Sequence, residues 1–252
     1  MKELNNKDKL TNFGFKKVSE KEKVSLVNNV FSSVTKNYDL MNDLMSFGLH
    51  RVWKKYFLHC SNIRSGDKVL DLASGTGDIT KLVHKIVGES GQVISCDINY
   101  EMLSFGRDNL IDQGIINGIN YIQSDALKLP FQNNYFDHVT MAFGLRNTAN
   151  ISRALESIHR VIKPGGSVQI LEFSKPEEII QKPYDVFLDN FIPTLGKYVA
   201  NDKDSYKYLA ESIKMHPSQK EIIKQMDDSG FVNNVYNNLL FGVASIHRGY
   251  KI

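Results

Sequence analysis

The chain has 252 residues, 42% of them hydrophobic and 23% charged, values that exclude a disordered, collagen-like or fibrous protein. Its 31 Lys and Arg face 28 Asp and Glu, and a formal charge of +3 is too small for the electrostatic footprint of a dedicated nucleic-acid binder. A small neutral or mixed-charge ligand is expected instead. Cys60 and Cys96 can build no disulfide framework and match no zinc-ligand spacing, which reads as reduced thiols in a cytoplasmic protein with no metal. The opening MKELNNKDKLTNFGF lacks the apolar core of a signal peptide, and no uncharged apolar run nears the roughly 20 residues that span a bilayer. A soluble chain is expected, with peripheral contact at a membrane surface left open.

Along the chain, residues 1–20 are polar with little periodicity and read as a mobile arm. From Glu20 to His59, apolar residues recur at helical spacing through Val24, Val27, Val30, Phe31 and Val34, then Leu40 to Met45, then Val52 to Phe57, giving two or three helices. After Ser65-Gly66-Asp67 the rhythm changes to short apolar runs, Lys68–Ala73, Gln92–Asp97, Ile119–Gln123, Phe136–Phe143 and Ser167–Phe173. Helical stretches near 79–88, 100–113 and 150–162 separate them, the alternation of a parallel sheet covered on both faces. Lys163-Pro164-Gly165-Gly166 is expected to stop the last helix and turn the chain into the fifth strand. Residues 177–225 read as helical again, and Phe231–Asn237 with Leu239–His247 as a closing hairpin.

The chemistry concentrates where the first run ends, in Asp71-Leu72-Ala73-Ser74-Gly75-Thr76-Gly77-Asp78. Gly75 and Gly77 let a ligand approach the backbone, but Thr80 stands where a dinucleotide fingerprint needs its third glycine, and Asp78 would meet a pyrophosphate with negative charge. Asp71 and Asp78 favour a ligand carrying an ammonium and a sulfonium, such as S-adenosylmethionine (SAM). Local hydrogen bonding, with Asp78 as a helix cap, is the plainer reading of both. Asp97 ends the second run where adjacent α/β units receive a ribose diol, unless it merely caps the next helix, and Asp125 stands where an acid can bind an adenine amino group.

Beyond this point the sequence resembles the ubiquinone/menaquinone biosynthesis C-methyltransferases of the UbiE type, from about Phe15 to Ile252. The resemblance runs through YDLMNDLMSFGLHRVWK at Tyr38–Lys54, DLASGTGD at Asp71–Asp78 and FGLRN at Phe143–Asn147. It continues in RVIKPGG at Arg160–Gly166, LEFSKP at Leu171–Pro176, NDKDSYKYLAESIKMHP at Asn201–Pro217 and the terminal HRGYK. It implies an α/β class I SAM-dependent methyltransferase fold, Rossmann-like, with a seven-stranded, mostly parallel sheet and extra N-terminal helices. Residues 1–60 would then be an arm and helical lid, and 61–252 the methyltransferase domain. It also implies SAM as methyl donor and a ring carbon of a polyprenylated quinol as acceptor, with a homodimer or a quinone-biosynthesis complex left open. Thr76, Asp97, the Asp125-Ala126 pair and the position of Ala142 would contact SAM. Two residues depart from the common pattern: Ser74 stands where such loops often have Gly, and Ala142 where many have Ser.

A quinol carbon becomes nucleophilic only as its hydroxyl loses a proton, so the site must favour a phenolate. Arg146, by its fixed charge acting directly or through a water, and Asn147, by orienting the oxygen, are the candidates, against an ion pair and a helix cap as their structural alternatives. In the N-terminal helices Tyr38, Met41, Met45, Phe47, His50 and Trp53 form a flexible apolar set suited to covering a greasy acceptor, although packing explains such a stripe equally well. Tyr38, His50 and Trp53 are the acceptor candidates. An NAD-dependent oxidoreductase, a nucleic-acid methyltransferase and a non-catalytic SAM-binding subunit are the competing classes. Thr80 and Asp78 argue against the first, the near-neutral charge against the second, and the intact Asp71, Asp97, Arg146 and Asn147 against the third.

Overall fold

The computed structural model of the chain describes residues 10–35, 38–196 and 202–252. It opens on an antiparallel hairpin, β1 (Leu10–Phe13) and β2 (Lys16–Ser19). The expected mobile arm is therefore wrong from Leu10 on, and residues 1–9 lie outside the described residues. The hairpin is docked by the Phe13 ring, which stacks on Tyr208 at 4.2 Å, and by the Phe15 N–H, which donates to Glu211 at 3.1 Å. Ser19 then caps α1 (Glu20–Val34), accepting from the Glu22 N–H, and Glu20 and Glu22 sit where the helix dipole favours acids. Helices α2 (Tyr38–Ser46) and α3 (Leu49–His59) follow. Val27, Val34, Met41, Met45, Trp53 and Phe57 are buried in the same cluster as Val69, Val83, Val93 and Phe173 of the sheet layer.

The alternating part matches the sequence rhythm: β3 (Lys68–Leu72), α4 (Asp78–Val87), β4 (Gln92–Asp97), α5 (Tyr100–Asp112), β5 (Ile119–Gln123), β6 (Phe136–Ala142), α6 (Ile151–Val161) and β7 (Ile162–Phe173). In α6 the buried Ala154, Leu155, Ile158 and Val161 make one apolar stripe, and Asn150 caps the first turn. Then come α7 (Glu178–Val186), a π-helical turn at Phe187–Phe191, α8 (Ile192–Leu195), α9 (Lys203–Met215), α10 (Gln219–Asp228) and the hairpin β8 (Val232–Leu239) and β9 (Ala244–Tyr250).

The seven strands run in the order β5-β4-β3-β6-β7-β9-β8, the first five parallel to one another and β9 antiparallel to both of its neighbours, β7 and β8. This is the class I methyltransferase sheet. Two local expectations shift. Lys163-Pro164-Gly165-Gly166 lies inside β7, where pairing resumes past a bulge and the Gly165 N–H donates to the Lys251 carbonyl at 2.7 Å. The closing hairpin is longer than its apolar runs suggest, its turn spanning 240–243.

Phe13→Ala is expected to lower unfolding stability by roughly 1–3 kcal/mol, read from the urea midpoint. An unchanged midpoint would mean that the hairpin adds nothing to the fold.

Candidate active site

The sheet order reverses at β3, and the crevice outside the C-terminal ends of β3, β4 and β6 is where open α/β sheets bind ligands. Backbone geometry shapes it. Ala73 and Phe143, the residues that follow β3 and β6, both have positive φ, 54° and 59°, conformations that cost a non-glycine residue energy and mark a constrained site. Gly106 of α5 packs against the loop so closely that a Cβ there would lie 2.7 Å from the Gly75 carbonyl, and one on Gly144 would lie 2.4 Å from the Ala73 Cβ. These contacts fix the loop's path between α5 and β6.

Four acids surround it, with distinct roles. Asp97, buried, accepts from the Gly75 N–H at 2.9 Å and the Asn99 N–H at 2.8 Å, and burial raises its pKa. It does not cap α5; Asn99 does, accepting from the Met102 N–H at 2.9 Å. Asp71, also buried, accepts from Thr80 at 2.5 Å and Thr140 at 3.0 Å, and burial pushes its pKa up to about 7. Asp125 turns one oxygen to the Leu127 N–H at 2.9 Å, capping the short helical turn Ala126–Lys128. Asp78 corrects both of its sequence readings, since Gly77 occupies the cap position of α4 and the Asp78 carboxylate pairs with Lys54 at 2.7 Å. Burial would raise its pKa, but Lys54 outweighs it and holds the group below the usual carboxylate range. Its charge is thus matched by Lys54 at a half-exposed position. Among the described residues no cation pairs with Asp71 or Asp97. Two buried carboxylates without a counter-ion, beside a glycine cradle, fit a ligand that brings a diol and positive charge.

The crevice opens into a cleft with a cavity of about 90 Å³, lined by Gly75, Asp97, Asp125, Ala126 and Asn147 from the sheet side and by Asn28 and Tyr38 from α1 and α2. A smaller adjoining cleft is lined by Tyr38, Lys54, Asp71, Thr76 and Ala142. Tyr38 borders both. Asn147 anchors its amide between the Tyr208 hydroxyl, which donates to Oδ1 at 3.0 Å, and the Phe143 carbonyl, which accepts from Nδ2 at 3.3 Å. The second Nδ2 hydrogen remains for a ligand.

The other expected residues lie outside these clefts. Gly77 turns into α4 against Leu110. Arg146 is buried and paired with Glu172 at 2.5 Å, its Nη1 also donating to the Phe143 carbonyl at 2.7 Å, so it stands behind Asn147. His50 pairs with Asp43 at 2.8 Å and burial keeps its pKa low, while Trp53 packs edge-on against Phe173. Sequence reasoning missed Asn28, Asn99, Lys54 and Glu172. Only Asn99, directly before a predicted helix, carried a local signal.

Similarity to known proteins agrees with this geometry. A family model described as the ubiE/COQ5 methyltransferase family matches residues 16–251. The chain is 52% identical to the ubiquinone/menaquinone biosynthesis C-methyltransferase UbiE of Pseudoalteromonas translucida, over 96% of this chain and 97% of that one. It is 51% identical to the UbiE of Erwinia tasmaniensis, over 96% of both chains. Among solved structures, a SAM-dependent methyltransferase from Aquifex aeolicus superposes with a TM-score of 0.62 at 20% identity, covering 87% of this chain and 98% of its own. One from Thermotoga maritima, described as a possible histamine N-methyltransferase, gives 0.64 at 16% identity, covering 90% and 100%. At those identities the likeness is one of fold.

Two outcomes test the site. Gly106→Ala should weaken SAM binding about tenfold or more in calorimetry by forcing the Gly75 carbonyl aside, with smaller loss of stability. SAM affinity should also rise from pH 6 towards about 7 and level off above it, because Asp71 must lose its proton before it can attract an ammonium. Asp71→Asn should flatten that dependence; a wild-type affinity independent of pH would remove Asp71 from the ligand's charge balance.

Proposed function

The chain belongs to the ubiE/COQ5 methyltransferase family, and from that premise we propose how its residues methylate a quinol. It is a SAM-dependent C-methyltransferase of quinone biosynthesis, with a polyprenylated quinol as acceptor. The acceptors we propose are demethylmenaquinol, which becomes menaquinol, and 2-methoxy-6-polyprenyl-1,4-benzoquinol, which gains a ring methyl. The observation that carries the reading is the pair of buried carboxylates, Asp71 and Asp97, at the ends of adjacent strands and paired with no cation among the described residues. SAM supplies a methyl carbon made electrophilic by its sulfonium.

In this reading Asp97 holds the ribose diol, Asp125 and Ala126 border the adenine, and Asp71 with Thr76 and the backbone at Gly75 and Ala142 faces the methionine end. Ala142 offers backbone groups only. Asn147 directs its amide at the acceptor oxygen and donates to it as the phenolate forms, and the Arg146–Glu172 pair behind it fixes the Phe143–Asn147 turn that aims this amide. As the quinol O–H proton leaves to water, electron density moves into the ring, a ring carbon bonds to the methyl carbon, and the carbon–sulfur pair stays on sulfur. Loss of the ring proton restores the aromatic ring. Holding carbon and methyl in line contributes roughly 7–11 kcal/mol, so no strong base is needed. Helices α1 and α2, with Tyr38 between the two clefts, act as the cover over the crevice. None of the described helices is long and apolar enough to cross a membrane. We place the enzyme in the cytoplasm, meeting its prenylated acceptor at the inner face of the membrane.

Incubation with labelled SAM and each reduced quinone, followed by mass spectrometry, tests the activity; no ring-methylated product from either would refute it. Arg146→Lys preserves the charge opposite Glu172 but loses the planar fork, so turnover should fall about tenfold or more while SAM affinity stays unchanged. Wild-type turnover in that variant would leave Arg146 as a purely structural ion pair.

A further inference from the structure

The turn between α2 and α3 places an aromatic ring in water at a strained position. Phe47 has φ 51° and is 72% exposed, and among the described residues one ring lies against it, that of Phe187 at 5.1 Å. Phe187 in turn stacks on Phe191, 46% exposed, at 5.2 Å and lies 6.2 Å from Tyr184. A bulky residue held left-handed and exposed costs stability that folding does not recover, so its role lies outside the fold.

Two further observations say what meets this ridge. First, it is continuous with the site: Tyr184 and Phe187 pack on the buried cluster that contains Phe143 and Phe173 and against which Tyr38 also packs, so apolar contacts run unbroken from the crevice to the exposed rings. Second, the neighbouring helix α3 is basic and amphipathic. Its outer face exposes Arg51, Val52, Lys55, Tyr56 and His59, and none of its residues is an acid; Arg51 pairs with Asp43 of α2 at 2.7 Å, whereas Lys55 enters no ion pair among the described residues. On the ridge's own elements, Asp185 and Asp189 share one cation, Lys214, at 3.7 and 2.6 Å. Exposed aromatics beside a basic apolar helix face are the composition of a surface that lies in a lipid headgroup layer.

We propose that Phe47, Phe191 and the outer face of α3 form the surface by which the protein sits on an anionic lipid bilayer, with the prenyl tail of the acceptor passing from bilayer to crevice along the Phe187–Tyr184 row. This rests on the reading that the acceptor is prenylated. The test is co-sedimentation with vesicles of phosphatidylcholine, with and without phosphatidylglycerol, for the wild type, Phe47→Asn with Phe191→Gln, and Lys55→Glu. Asn accepts a left-handed backbone, so the first variant should keep its melting temperature and its SAM affinity. Its vesicle binding should drop about tenfold, and Lys55→Glu should lose the preference for phosphatidylglycerol. Methylation of a short-chain, water-soluble quinol should be the same in all three proteins, while that of a long-chain quinol in vesicles falls. Wild-type protein that ignores vesicles, or variants that bind as well as wild type, would overturn the proposal. A dimer in sedimentation that Phe47→Asn dissolves, with no vesicle binding, would overturn it in favour of a self-association face. Failure on the soluble quinol would instead indict the assigned activity, independently of the vesicle result.

Discussion

The buried pair of Arg146 and Glu172 is the constraint on which the acceptor side of the structure depends. Glu172 accepts from the Arg146 side chain, from its backbone N–H at 3.2 Å and from the Phe173 N–H at 2.8 Å, so one carboxylate ties the turn after β6 to the end of β7. Two charges removed from water need such saturation, because an uncompensated member costs about 3–5 kcal/mol. The pair therefore admits one arrangement of the Phe143–Asn147 turn. Lys23 of α1 adds a third element by donating to the Arg146 carbonyl at 3.3 Å.

A second set of ties works on the donor side. Asn99 caps α5 with its oxygen and spends its amide hydrogens on the Asn28 carbonyl and the Ser32 hydroxyl, both at 3.1 Å. The loop that holds the Asp97 carboxylate is thus fastened to the helix that covers the crevice. The setting of the Asp97 carboxylate and the seat of α1 share the same few hydrogen bonds, and such bonds contribute about 1 kcal/mol each. The cover is held at its two ends by polar contacts and along its length by Val27 and Val34 in the core.

Much of this was legible in the sequence because it is periodic or local. The five parallel strands announced themselves as apolar runs, and Asp71, Asp97 and the loop glycines stood at strand ends where geometry assigns them work. What stayed hidden depends on partners far apart in the chain. Arg146 and Glu172 are 26 residues apart, and Lys54 and Asp78 are 24 apart; neither pairing follows from helix or strand periodicity. The β1–β2 hairpin was missed because two four-residue strands, the second opening on two lysines, show almost no alternation, and its anchor is a ring on α9. His50 and Trp53 went astray for a related reason: an amphipathic helix tells which face is buried but not against what.

The position of β9 has a consequence for the order in which the chain becomes whole. It occupies Ala244–Tyr250, the last of the described strands, yet it lies inside the sheet between β7 and β8. During synthesis every strand that frames the crevice leaves the ribosome well before it, while one whole edge of β7 stays unpaired and ready to pair with a stranger. The strands around the crevice can assemble early, but the molecule is protected from mispairing only once β9 has been delivered. Chains cut short near Gly242 would carry an assembled crevice on an open-edged sheet, a form that quality control should remove by aggregation or proteolysis.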